Sequence, residues 1–264
     1  MPAMMPWEYA DKFWPLKTKG ANLAGLEVYV TEYKTGGMLT GTDKQVVFEM
    51  QRFFKALGGI PNSGVTYDEL KHISLPTHGI FMYPAGGILG VANGKGTLQD
   101  YRTVFTLFDY WLTMDREGKN PRPWRVKNRY QSAQQFADVH SGVDCNCFVG
   151  GYLAECYPGS GFNYSTDIPD FSAKSTPRKS LAEVANNDLV LFNHRHIAIV
   201  DEVLEHSADG LRCWVAESRN PADGGPQFNE RYLKFNGKGE FHLAASAKDR
   251  GELLKGIGKP MGVD

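Results

Sequence analysis

The chain has only four cysteines in 264 residues. That is too sparse, at this length, for a small scaffold stapled by disulfides. Cys145, Cys147 and Cys156 fall close together, and Cys145 and Cys147 sit too near each other for an ordinary structural bridge. Reduced thiols are therefore expected. No apolar run reaches the ~20 residues that a membrane-crossing helix needs. Charge is nearly balanced, at −1 overall, which argues against a general nucleic-acid binder. The basic stretch Arg122 to Arg129 reads as a solvated loop. The first residues, Met1-Pro2-Ala3-Met4-Met5-Pro6-Trp7, lack the charged start and unbroken apolar core of a secretory signal. The expectation is synthesis in the cytoplasm, with export to a periplasm by some other route if the protein acts there.

What is present is an ordinary globular composition, 42% hydrophobic and 22% charged, with ample chain to bury a core. Residues 1–42 read as loop-rich, with one strand candidate at Leu26 to Tyr33. Thr42 is placed as an N-cap with Gln45 in the capping-box position. It opens a helix over Asp43 to Leu57 that carries Val46, Val47, Met50, Phe53, Phe54 and Leu57 at helical spacing. Gly58-Gly59 ends it. Residues 59–96 are rich in Gly and Pro, with a strand candidate at Gly79 to Tyr83. The glycines of Gly86-Gly87-Ile88-Leu89-Gly90 and Gly94-Lys95-Gly96 match neither nucleotide-loop spacing. A second helix begins at the cap Thr97, with Asp100 three positions on. Its apolar face is Leu98, Tyr101, Val104, Phe105, Phe108, Trp111 and Leu112, and Gly118 ends it. Asn120-Pro121-Arg122-Pro123 breaks the chain, and the expected division is a helical, loop-rich region over 1–120 and a catalytic domain over 121–264, which could merge into one.

Beyond the break, a helical stretch runs from Gln131 to His140. Ser141-Gly142 interrupts it, and a helix follows from Cys145 to about Cys156. Residues 158–180 read as a polar loop. Asp188 to Phe192 and His196 to Val203 read as strands, and Leu211 to Glu217 returns after Asp209-Gly210 turn chemistry. A meander following a helix indicates α+β.

The chemistry concentrates at the helix start. A cysteine there faces unpaired backbone N–H groups and the positive end of the helix dipole. Both favour the thiolate, which is the nucleophile. His196, on a strand some fifty residues later, is the candidate base. Glu217 ends the next strand and is the candidate to orient the imidazole, with Asp201 and Asn193 as competitors. Cys147 lies about 200° around the helix from Cys145, so only one of the two can face a given cleft; Cys147 reads as a packing or redox-sensitive neighbour. A zinc site built from Cys145, Cys147, Cys156, His194 and His196 is the rival reading, but the paired Cys-x-x-Cys spacing is absent. No metal or cofactor is expected.

Asp144-Cys145-Asn146-Cys147-Phe148-Val149, followed by Asn187-Asp188-Leu189-Val190-Leu191-Phe192 and His196-Ile197-Ala198-Ile199, resembles the two motifs of the NlpC/P60 superfamily of cysteine peptidases. The resemblance covers roughly residues 130–220. It departs at Asn146-Cys147, where the family has Ser-Gly, at Asn187, where it has Gly, and at Glu217, where His, Asn or Gln is usual. It implies a papain-like α+β core, an antiparallel sheet packed on the nucleophile helix. Cys145, His196 and Glu217 would form its catalytic set, and Tyr130 is a candidate for the family's cleft tyrosine. It also implies hydrolysis of a peptidoglycan stem peptide, as an antibacterial effector or a phage lysis enzyme. An immunity protein or a secretion-machine component would be the accompanying partners. The alternatives are a thiol acyltransferase or deamidase on protein or lipid, and a zinc-stabilised binding module.

Overall fold

A computed structural model describes residues 4–19, 25–34, 40–59, 66, 87–193, 196–207, 210–219, 224–236 and 238–263. The helices in chain order are α1 (Pro6–Asp11), α2 (Gly41–Leu57), α3 (Gly87–Ala92), α4 (Leu98–Arg116), α5 (Ala133–His140), α6 (Cys145–Cys156) and α7 (Ile168–Ala173). The strands are β1 (Leu16–Lys19), β2 (Gly25–Val28), β3 (Ser175–Pro177), β4 (Leu189–Phe192), β5 (Ile197–Ser207), β6 (Gly210–Arg219), β7 (Gly225–Phe235), β8 (Phe241–Ala244) and β9 (Glu252–Pro260). They sort into two compact units.

One unit comprises Lys12–Asp144 with Asn220–Gly225. α2, α4 and α5 form over the stretches read as helical; α3 falls in the Gly/Pro-rich stretch where no helix was expected. In α4, Thr97 accepts from Asp100 N while the Asp100 carboxylate accepts from Thr97 N, the expected capping box. In α2 the cap is Thr40 with Asp43, two residues before the expected Thr42 and Gln45. Asp43 is the better third residue because its short carboxylate reaches back to Thr40 N at 2.6 Å. Gly58 closes α2 in the left-handed region at φ 72°, a conformation that costs glycine little. The aromatic stripe of α4 is the core, with Phe108 stacked on Phe136 of α5 at 4.2 Å and Trp111 against Phe53 of α2 at 5.7 Å. The strand candidate at Leu26 to Tyr33 shortens to β2, paired with β1. The candidate at Gly79 to Tyr83 lies outside the described residues.

The other unit comprises Met1–Asp11, Cys145–Arg219 and Pro226–Asp264. Here the expected papain-like core is overturned. β9, β4, β5, β6, β7 and β8 follow one another around a closed six-stranded antiparallel barrel, and β9 bonds to β8 to seal it. β3 pairs with β9 outside the barrel. The reason lies in residues 225–260, whose three strands carry no clean alternation and complete the ring. β9 pairs with both β4 and β8, so no sheet edge remains to be covered there. The ladder to β4 shifts register between Leu191 and Phe192, opposite Gly256. Such irregularities bend strands enough to close a barrel.

Alternation along the strands sorts the residues. Val190 and Phe192, Ala198 and Val200, then Leu211, Cys213 and Val215 join Leu233, Leu243 and Leu254 in one buried cluster, the barrel filling. The opposite face of β5 and β6 is covered by α1 and α6. α6 is apolar almost all round, as a helix packed on several sides must be. Two of its glycines mark close approaches: a Cβ on Gly150 would lie 2.0 Å from Asn163 O, and one on Gly151 would lie 2.4 Å from the Tyr9 hydroxyl. The stretch expected to be a polar loop, 158–180, instead contains α7 and β3.

Candidate functional site

Glu217 extends the inward row Leu211, Cys213, Val215 to the end of β6. It is fully buried, opposite Ala198 in the ladder. His196 immediately precedes β5, and its Nε2 lies 2.8 Å from Glu217 Oε2. An ionised carboxylate only accepts, so Nε2 carries the proton and Nδ1 holds the lone pair. The His196 ring also packs on Phe192, 4.8 Å between centroids.

Sequence reading missed what holds Glu217. Arg219 Nε is 3.2 Å from Oε2, and Arg231 Nη2 is 3.5 Å from Oε1. Arg219 also reaches Glu252 at 3.4 Å and lies over the Phe192 ring. Burial pushes the Glu217 carboxyl up. The His196 hydrogen bond and the two guanidinium charges outweigh this, and the group is held below the usual carboxylate range. Arg219 had a legible signal, since two residues past Glu217 it must share the same strand face. Arg231 had none, because its strand was not read.

The competitors of Glu217 are used elsewhere. Asp201 lies on the outer face of β5 and accepts from Trp7 N at 2.9 Å; burial raises its carboxyl to about 6. Asn193 donates to Leu253 O at 3.0 Å.

Cys145 is the first residue of α6, as expected, and is 1% exposed. Its thiol donates to Asn146 Oδ1 at 3.4 Å. The helix it opens packs across β5, which His196 immediately precedes, and β6, which carries Glu217 near its end. Cys147 is buried, Cys156 Sγ is 3.6 Å from Met4 O, and Cys213 fills the barrel, where burial pushes its thiol up to about 12. Among the described residues no group of three His, Cys, Asp or Glu is placed to hold a metal. His194 lies outside them.

One departure from the motif, and the aspartate that follows it, have local explanations. Asn187 adopts φ 68°, the left-handed region where glycine is at ease and asparagine is the best-tolerated substitute. Its amide is held by the Tyr152 and Tyr157 hydroxyls at 2.7 and 3.0 Å. Asp188 accepts a two-pronged hydrogen bond from Arg178, both arms 2.8 Å, which fixes the start of β4.

In the other unit, Asp144 pairs with Lys95 Nζ at 2.8 Å. Gly94 sits at φ 77°, and a Cβ there would lie 2.1 Å from Lys34 O, so close backbone approach accounts for that glycine. Tyr130 hydrogen-bonds His140 Nε2, whose Nδ1 lies 2.5 Å from Asp43 Oδ1, a buried relay that sequence reading did not find. No family model, curated protein or solved structure matches this chain. No described helix is long and apolar enough to cross a membrane.

Proposed function

We propose that this protein is a cysteine-nucleophile amide hydrolase in which Cys145 attacks, His196 is the base and Glu217 orients it. The observation that carries this reading is the His196–Glu217 hydrogen bond, with the glutamate fully buried between two arginines. An exposed strand-end carboxylate needs no such neighbours. The bond fixes the imidazole tautomer and its orientation. Nδ1 then takes the Cys145 proton, and the thiolate adds to an amide carbonyl. The backbone N–H groups at the start of α6 face the developing oxyanion. The imidazolium returns the proton to the leaving amine, and water releases the acyl group from sulfur.

The Asp144-Cys145 and His196-Ile197-Ala198-Ile199 motifs favour a peptidoglycan stem peptide as substrate, through their resemblance to NlpC/P60 enzymes. Delivery to a periplasm and an accompanying immunity protein belong to the same proposal. The test is mass spectrometry of purified muropeptides after incubation with wild type, Cys145→Ala and His196→Ala. Wild type should release new stem-peptide fragments, and both variants should lose at least about a hundredfold in rate. Fragments that persist unchanged in Cys145→Ala remove the nucleophile. Failure of folded wild type on muropeptides, with an acyl group found on Cys145 from another donor, moves the reading to an acyltransferase.

A further inference from the structure

The barrel has a second polar end. Ser207 of β5 faces Gly210 of β6 across their hairpin, while Ala198 faces Glu217 nine residues back along β5. At about 3.3 Å per residue, the two ends lie roughly 30 Å apart. The hairpin end opens onto a pocket of about 420 Å³, which is within the size range of small-molecule sites. Leu181 and Phe235 form its apolar wall, and Lys234, Asn236, His242 and Arg250 its polar one.

The polar wall has a definite hydrogen-bond logic. Asn236 Oδ1 accepts from the backbone of Lys238 and Glu240, at 2.9 and 3.0 Å. Its Nδ2 is therefore the donor toward His242 Nε2, at 3.4 Å. That makes Nε2 the acceptor and places the imidazole proton on Nδ1. His242 is 8% exposed, and Nδ1 is buried without a hydrogen-bond partner. A buried donor with no acceptor is costly unless something else supplies one.

The charge points the same way. The Lys234 ammonium is anchored by Ala247 O, at 2.7 Å, and Asp249 O, two neutral acceptors, and no carboxylate among the described residues pairs with it. Arg250 adds a second cation to the lining. The neighbouring carboxylates are turned to other partners: Asp249 accepts from the Ser246 hydroxyl at 2.8 Å, and Glu240 from Asn236 Nδ2 at 2.8 Å.

We propose that this pocket binds a small molecule bearing an oxyanion, a carboxylate or a phosphate monoester, on an apolar body. The anion sits between Lys234 and Arg250, where a turn of the buried His242 imidazole brings Nδ1–H onto it, and the body lies against Leu181 and Phe235. This site is independent of the proposed hydrolase chemistry. Its test is titration of the full chain with benzoate, phenyl phosphate and the neutral benzyl alcohol, followed by backbone and imidazole NMR. Saturable shifts should centre on Gly210 and His242, and at least one anion should bind about tenfold tighter than the alcohol. Arg250→Gln and His242→Phe should each weaken that anion about tenfold while the rest of the spectrum is preserved; His196→Ala should leave the affinity for that anion unchanged. If benzoate leads, the ligand is a carboxylate; if phenyl phosphate leads, it is a phosphate ester. No saturable shift, equal binding of the alcohol, shifts spread elsewhere, or full affinity in both pocket variants overturns the proposal.

Discussion

Replacing Glu217 by glutamine removes one buried charge held by three side chains, His196, Arg219 and Arg231, and leaves the two arginines facing an amide. Breaking a sealed ion pair costs about 3–5 kcal/mol. Here only the glutamate is sealed; the side chains of Arg219 and Arg231 retain 29% and 19% exposure and recover part of their hydration. The expected loss is about 2–3 kcal/mol at neutral pH. For a chain of this length that lowers Tm by roughly 5–10 °C. The pH dependence is the sharper signature. The folded Glu217 carboxyl sits below its ordinary 4.5, so the unfolded chain takes up its proton first. The stabilisation is then complete above the unfolded value and drains away as pH falls through the lower folded one. Urea unfolding of wild type and Glu217→Gln, followed by circular dichroism, should show the gap closing as pH drops from about 7 to about 3. A gap that stays constant over that range, or one under about 0.5 kcal/mol at neutral pH, refutes the argument that Glu217 is held as a buried anion.

Asp201 has the opposite sign. Its raised carboxyl, about 6, means the folded state loses stability as pH rises from the ordinary 3.8 through that value. Asp201→Asn keeps an acceptor for Trp7 N and should gain about 1–3 kcal/mol near pH 7.5, with no gain near pH 4, in the same unfolding assay. Gly150→Ala, which in an open helix would stabilise by about 1 kcal/mol, should destabilise instead by about 1–3 kcal/mol, because its Cβ would strike Asn163 O. Thr97→Ala should cost about 1 kcal/mol through the lost cap of α4, read from thermal unfolding.

Much of the candidate site was legible because it rests on local chemistry. Cys145 had to start α6, since the apolar run behind it begins there and Tyr157-Pro158-Gly159 ends it. His196 and Glu217 could be paired because two strands joined by a tight turn have a nearly fixed register. The cap at Thr40 was missed by two residues, since Thr40 with Asp43 and Thr42 with Gln45 offer similar patterns and only the folded backbone chooses between them.

α2, α4 and α5, the start of α6 and the β5–β6 hairpin were written into the sequence, because each depends on periodicity, capping or turn chemistry within a few residues. Barrel closure was not. It depends on β9 finding both β4 and β8, pairings across long stretches of chain that no local pattern encodes. The same closure brings Arg231 of β7 and Glu252 of β9 to the end of β5 and β6. Tertiary structure alone thus decided that Glu217 is a buried anion between arginines and not a carboxylate at a strand's open end.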